Sequence, residues 1–158
     1  RFVIAGIGNI EKEYYKKYGN QNIDVVYNQL FSLLSCSKAA IVTSGTATLE
    51  TALYNVPLTV CYKSTTLSYH IAKRLIRVPY ISLVNLIMNK PLVRELIQHD
   101  MNAVNLKNEL RKLLDDNEYR AGMLKGFGEL RDILGNKGAS QRAAVIVTDF
   151  PVKVQQME

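Results

Sequence analysis

The sequence predicts an α/β fold, a Rossmann-like parallel sheet with flanking helices, and three observations carry that expectation. Short apolar, β-rich runs alternate with helical patterns at a spacing of roughly 15 residues through the first half of the chain, as strand–helix–strand crossovers require. A strand–turn–helix junction at Ala40-Ile-Val-Thr-Ser-Gly-Thr-Ala-Thr-Leu-Glu50 falls where such a sheet presents ligands, beyond the carboxyl end of a strand. The second half is mostly helical in pattern.

Phe2 to Ala5 reads as a buried first strand, followed by Gly6-Ile-Gly8. Ile10 to Tyr18 alternates apolar and charged residues, a helix closed by Gly19 and Asn20. The two early glycines suggest a dinucleotide turn, but a third is missing and Asp24 does not clearly end a second strand at the right distance. A plain strand-to-helix turn is preferred. Ile23 to Val26 is the second strand, and Gln29 to Cys36, with Leu30, Leu33 and Leu34, is a short amphipathic helix. Ala39 to Val42 is the third strand and Thr46 to Tyr54 the helix after it. Asn55-Val-Pro57 breaks that helix, and Leu58 to Tyr62 is the fourth strand.

Ser64-Thr-Thr66 then caps a helix from Leu67 to Arg77. Leu67, Ile71, Leu75 and Ile76 fit one face, with Tyr69, His70, Lys73, Arg74 and Arg77 elsewhere. Val78 to Leu83 is a fifth strand or an extended loop. Asn85 and Asn89 interrupt the apolar stretch from Val84 to Pro91, and an amide buried there needs partners. Pro91 opens a short helix through Ile97. Asn102 caps Ala103 to Leu114, burying Leu106, Leu110, Leu113 and Leu114. Asn117 starts a helix over Glu118 to Leu134, ended by Gly135-Asn-Lys-Gly138, and Ala139 to Thr148 is the last helix. Residues 1–150 are expected to form one domain and 151–158 a frayed tail.

A chain of 158 residues, 47% apolar and 22% charged, suffices for one core and excludes disorder. The net charge of +6 suits nucleic acid, anionic lipid or phosphorylated small molecules. No aromatic and arginine interleaving and no reading-helix pattern occurs, so nucleic acid is not an expected partner. Cys36 and Cys61 read as reduced core residues. His70 and His99 lack the company a zinc site needs, so neither metal nor cofactor is expected. No apolar run reaches the length of a spanning helix, and no basic-then-apolar leader opens the chain. A domain rarely begins so abruptly on a strand, which suggests a piece of something longer.

The junction at Ser44 carries the chemistry. Ser44 and Thr46 are candidate caps or phosphate ligands, Gly45 allows close backbone approach, and Glu50 lies one turn on from Thr46. Two readings stand: a capped helix, or a phosphate or nucleotide-diphosphate site on outward-pointing N–H groups. In the second, Glu50 is suited to accept hydrogen bonds from two ribose hydroxyls. No nucleophile–base–acid set is visible, so no catalytic residue is assigned.

The ordered set Thr43-Ser-Gly-Thr-Ala-Thr-Leu-Glu50, Val56-Pro57, Tyr62-Lys63, Ala72-Lys-Arg-Leu75, Tyr80-Ile-Ser-Leu-Val-Asn-Leu86, Glu95-Leu-Ile-Gln98 and Gly138-Ala-Ser-Gln-Arg-Ala-Ala144 resembles the C-terminal half of the lipid-A-disaccharide synthases. The resemblance covers nearly the whole chain. It implies an inverting glycosyltransferase of the GT-B type, with two Rossmann-like domains facing across a cleft and this chain as the UDP-sugar-binding one. The implied reaction joins UDP-2,3-diacylglucosamine to lipid X, giving the disaccharide 1-phosphate and UDP. It implies a cytoplasmic location, peripheral on the inner membrane of a Gram-negative bacterium. By match, Ser44, Gly45, Thr46 and Thr48 line the diphosphate, Glu50 meets the ribose and Asn85 contacts the donor. Tyr62, Lys63 and Arg74 fall near the cleft mouth or membrane.

Two departures stand out. Val84 replaces the family's usual proline before Asn85, and Met88-Asn89 stands where Ala-Gly is frequent. The acceptor-side N-terminal domain, which holds the family's presumed aspartate base, is absent, so the chain is expected to be inactive alone. The family can also exchange C-terminal helices between the partners of a homodimer. Because both substrates carry acyl chains, the helix with Lys73, Arg74 and Arg77 is expected either to dock on anionic inner-membrane lipid or simply to cover the sheet. Competing readings are another nucleotide-sugar enzyme domain, epimerase-like, and a non-catalytic nucleotide-binding module.

Overall fold

The computed structural model describes residues 1–19, 22–43, 45–65, 79–135 and 138–149. Among the described residues five strands lie in two parallel sheets. β1 (Phe2–Gly6) pairs with β2 (Ile23–Tyr27), placing Phe2 opposite Ile23 and Gly6 opposite Tyr27. β3 (Ala40–Thr43), β4 (Leu58–Tyr62) and β5 (Arg94–Ile97) follow in that spatial order, with Ile41 opposite Thr59 and Thr59 opposite Arg94. Among the described residues no strand pairing joins the two sheets. β4 is central, and its Leu58-Thr-Val-Cys61 run is buried throughout, as a parallel strand covered on both faces must be.

Seven helices are described: α1 (Lys12–Lys16), α2 (Leu30–Cys36), α3 (Thr46–Leu53), α4 (Leu83–Met88), α5 (Ala103–Asp115), α6 (Asn117–Leu134) and α7 (Ala139–Asp149). α6 organises the core. Its Met123, Phe127 and Leu130 meet Ala52 of α3, Val84 of α4, Leu113 of α5, Leu58 and Val60 of β4, and Val93. Gly126 sits in the same face because a methyl there would collide with the Leu92 side chain. Asn102 and Asp116 cap α5 and α6 by accepting from the Asn105 and Tyr119 amides, each at 2.9 Å. Arg131 of α6 donates to the Leu53 carbonyl at 3.1 Å, satisfying an orphan acceptor at the end of α3.

Several expectations are corrected. The helix expected from Pro91 to Ile97 is strand β5, because Arg94 to Ile97 pairs with β4 and the segment is too short to nucleate a helix alone. Val78 to Leu83 is not a strand in its described part. Instead Ser82 caps α4, a helix the polar Asn85 had obscured. Cys61 is buried as expected, but Cys36 is exposed at the end of α2. On α5, Leu113 is fully buried while Leu114 is 46% exposed. The first strand is not buried either, with Phe2 57% exposed. Ser44, the helix expected over Leu67 to Arg77 with Lys73 and Arg74, and the tail from Pro151 lie outside the described residues. Among the described residues no helix is long and apolar enough to cross a membrane.

Candidate functional site

The site is built at the carboxyl edge of the β3-β4-β5 sheet. β3 ends at Thr43, and Gly45 opens α3 with φ 131 and ψ −162. That conformation is essentially reserved for glycine. A Cβ at Gly45 would meet no atom within 4 Å, so the backbone faces open space. Among the described residues no side chain caps α3, and the first turn of a helix carries N–H groups that have no partner within the helix. Thr46 is exposed and Glu50, one turn along the same face, is half-buried.

Thr48 differs from its expected role. Its side chain is fully buried and its hydroxyl donates to the Gly45 carbonyl at 2.7 Å, with its amide reaching the same oxygen at 3.2 Å. Thr48 therefore fixes the turn rather than presenting a hydroxyl outward. Asn85 is likewise spent inside the protein. Its Oδ1 accepts from the Val93 amide at 2.9 Å, and its Nδ2 donates to the Val93 carbonyl at 2.8 Å and to Glu95 Oε1 at 2.9 Å. At 1% exposure the side chain ties the Val93 backbone to the Glu95 carboxylate, and the residue lines the rim of the smaller of two open clefts.

Two residues that went unassigned from the sequence do the arranging. Glu95 of β5 accepts from the Ile81 amide at 3.0 Å, the Ser82 amide at 2.9 Å, the Ser82 hydroxyl at 2.8 Å and Asn85. Gln98, in the left-handed region at φ 51, donates its Nε2 to the Ser64 carbonyl at 3.1 Å and accepts from the Ser64 amide at 2.7 Å. Its own amide donates to the Tyr62 carbonyl at 2.9 Å. The Glu95-Leu-Ile-Gln98 run thus anchors the turn into α4 with its first residue and the exit from β4 with its last. Tyr62 and Lys63, on that exit, are exposed. The available signal was the i, i+3 polar pair, but a helical reading of the segment hid it.

Two open clefts, about 490 and 360 Å³, share Pro91 and Tyr119, and neither is lined by the Gly45 turn. Beside them Glu109, fully buried, accepts from the Tyr119 hydroxyl at 2.6 Å and lies 3.5 Å from Arg94. Burial, and then that carboxylate, push the Tyr119 hydroxyl above its ordinary value of 10.0. Among the described residues no cluster of His, Cys, Asp or Glu could hold a metal. At the other sheet the Gly6-Ile-Gly8 turn is occupied by tyrosines. Tyr15 accepts from the Ile7 amide at 3.1 Å, and the Tyr27 ring lies where a Cβ on Gly6 would stand.

Parallel sheets with flanking helices and a glycine-led helix start at the sheet's carboxyl edge define a Rossmann-like domain of the GT-B glycosyltransferase type. The family model described as lipid-A-disaccharide synthetase matches residues 7–148. The chain belongs to the lipid-A-disaccharide synthase family. Similar proteins, each named lipid-A-disaccharide synthase, come from Coxiella burnetii (strain Dugway 5J108-111), 33% identical over 93% of this chain and 39% of the relative, and Geobacter sulfurreducens, 36% identical over 82% and 34%. A third, from Syntrophus aciditrophicus, is 38% identical over 85% of this chain and 35% of the relative. The chain spans about two fifths of the length of the Coxiella relative.

Proposed function

We propose that residues 1–150 are the donor-binding domain of a lipid-A-disaccharide synthase, holding the UDP moiety of UDP-2,3-diacylglucosamine for transfer of the diacylglucosaminyl group to lipid X. The observation that supports this reading is the glycine-led start of α3, which no described side chain caps, with Glu50 one turn along it. The diphosphate takes the backbone N–H groups at Gly45 and Thr46 together with Ser44, where the helix dipole favours negative charge. Glu50 accepts from the ribose hydroxyls, since an ionised carboxylate is an acceptor only. Thr48 and Asn85 act behind this surface, by closing the turn and by holding the start of α4 against β5.

No residue of this chain is assigned to proton transfer, and the domain alone is inactive. The acceptor-side domain supplies the general base and closes over the Gly45 turn, which is why that turn opens outward rather than into either cleft. Lys63, Lys73, Arg74 and Arg77, with Tyr62, supply the positive charge and the aromatic ring that suit an anionic membrane surface, from which the acylated substrates are drawn. Calorimetric titration of UDP tests the site. The wild-type chain binds, and Glu50→Ala weakens binding about 10- to 100-fold, the worth of hydrogen bonds to a charged group. Gly45→Ala weakens it as well, because an L-residue strains at that φ. Absence of UDP binding, or equal binding by wild type and Glu50→Ala, refutes the assignment.

A further inference from the structure

We infer that Lys63 is the cation of the Gly45 site, its ammonium answering the phosphate charge of the ligand, and that Gln98 is the residue that positions it. The inference rests on the nucleotide reading above. Counting on from Thr43 opposite Cys61, position 63 of the chain leaving β4 falls level with position 45 in the turn into α3. Neighbouring strands lie about 4.8 Å apart, so an ammonium on a four-carbon stem reaches a ligand held at that turn. A diphosphate carries several times the charge that a helix start can answer, about half a positive charge. The carboxyl edge of the β3-β4-β5 sheet is formed by the segments that follow Thr43, Tyr62 and Ile97. Through Gly45, Thr65 and Asp100 they hold Lys63 as their one lysine or arginine. Lys38 and Arg94 stand at amino ends of β3 and β5 instead. Lys63 is exposed and is in no ion pair among the described residues.

The backbone around Lys63 is held by a side chain acting in place of a strand. In a parallel ladder a residue that donates its amide to one carbonyl of its neighbour accepts, at its own carbonyl, from the amide two residues on. Gln98 donates its amide to the Tyr62 carbonyl at 2.9 Å, but the Ser64 amide is taken at 2.7 Å by Gln98 Oε1. Nε2 returns a bond to the Ser64 carbonyl at 3.1 Å. The left-handed φ of 51 at Gln98 ends the main-chain ladder, and the carboxamide carries it one rung further. Lys63 therefore lies between two pinned residues while its own side chain is left to solvent. A left-handed residue other than glycine costs free energy, so this rung is retained against a strain. Its effect is to fix in advance a segment that would otherwise be ordered at the expense of ligand affinity. The basic residues further along, Lys73, Arg74 and Arg77, are left for the membrane.

Titration of the wild-type chain, Lys63→Gln, Gln98→Ala and the double variant with UDP, pyrophosphate and uridine tests the pair, with circular dichroism checking the fold of each. Lys63→Gln should weaken UDP and pyrophosphate about 10- to 100-fold, the worth of a charge-assisted bond, and leave uridine unchanged. UDP affinity should fall more steeply with added salt in the wild type than in Lys63→Gln. Gln98→Ala should give the same phosphate-selective loss, and the double variant should lose no more than Lys63→Gln alone. Where Gln98→Ala does not fold, Gln98→Met, which keeps the length of the side chain, takes its place. Equal UDP and pyrophosphate affinity in wild type and Lys63→Gln, or a loss that extends to uridine, overturns the assignment of Lys63. An additive double variant overturns that of Gln98. If Lys63→Gln reduces cosedimentation with phosphatidylglycerol vesicles while UDP binds as before, the lysine belongs to the membrane face and the proposal falls. The two readings fail separately. UDP binding that Glu50→Ala weakens and Lys63→Gln spares removes only the lysine; pyrophosphate binding that needs Lys63, with no binding of UDP, removes only the nucleotide; no binding of either by the wild type removes both.

Discussion

Removal of the Glu95 carboxylate is the most informative single change in this domain. Glu95 Oε1 accepts from the Ser82 amide, the Ser82 hydroxyl and Asn85 Nδ2 at 2.8 to 2.9 Å, and Oε2 accepts from the Ile81 amide at 3.0 Å. Glu95→Ala leaves all four donors without this acceptor, in a region where Ser82 is fully buried and Asn85 nearly so. At about 1–3 kcal/mol for each buried donor left unmet, with water reaching some of them, the loss is about 3–5 kcal/mol. Glu95→Gln can keep Oε1 but turns an N–H₂ toward the Ile81 amide, so it costs about 1–2 kcal/mol. Urea unfolding followed by circular dichroism reads both values. A double-mutant cycle with Ser82→Ala should return a coupling of about 1 kcal/mol or more, because the two groups share one bond. A Glu95→Ala cost under about 0.5 kcal/mol, or additivity in the cycle, refutes the clamp.

Two further outcomes follow from α6. The raised Tyr119 hydroxyl gives stability that is complete below the ordinary tyrosine value and lost as pH climbs through the folded one. Unfolding free energy should therefore fall more steeply from about pH 10 upward in the wild type than in Tyr119→Phe, measured by urea titration at each pH. Parallel curves for the two proteins would remove the linkage. Gly126→Ala forces the Leu92 side chain to move and should destabilise by about 1–3 kcal/mol. Gly122→Ala, with nothing within 4 Å of its added methyl, should stabilise the same helix by about 0.5–1 kcal/mol. Equal effects at the two glycines in thermal melts would contradict the packing described.

The alternation through Tyr62 was legible because each strand there is a short β-rich run closed by its own turn chemistry, and β1 to β4 lie where those runs placed them. The segment from Pro91 to Ile97 was misread for an identifiable reason. Its pairing with β4 is a long-range contact, and the i, i+3 spacing of Glu95 and Gln98 imitates a helical face. The start of α4 was hidden because a buried asparagine looks like a break until its partners are known, and Val93 is eight residues away. At the Gly45 turn, sequence supplied the glycine and the helix start, but not the direction of Thr48. A threonine in the first turn can donate inward or stand outward, and only the fully buried hydroxyl on the Gly45 carbonyl decides between them.

β5 and the residue that follows it contribute two anchors, Glu95 and Gln98, and this has a dynamic consequence. An edge strand is where local opening begins, since only one neighbour holds it. When Arg94 to Ile97 lifts from β4, Glu95 releases the turn into α4 and Gln98 releases the chain leaving β4 in the same event. The two loops therefore have one opening free energy between them. Exchange at Ser64 and at Ser82, eighteen positions apart in sequence, should rise and fall together. A ligand that settles either loop then tightens the other with no contact to it, and the strand serves as a mechanical latch.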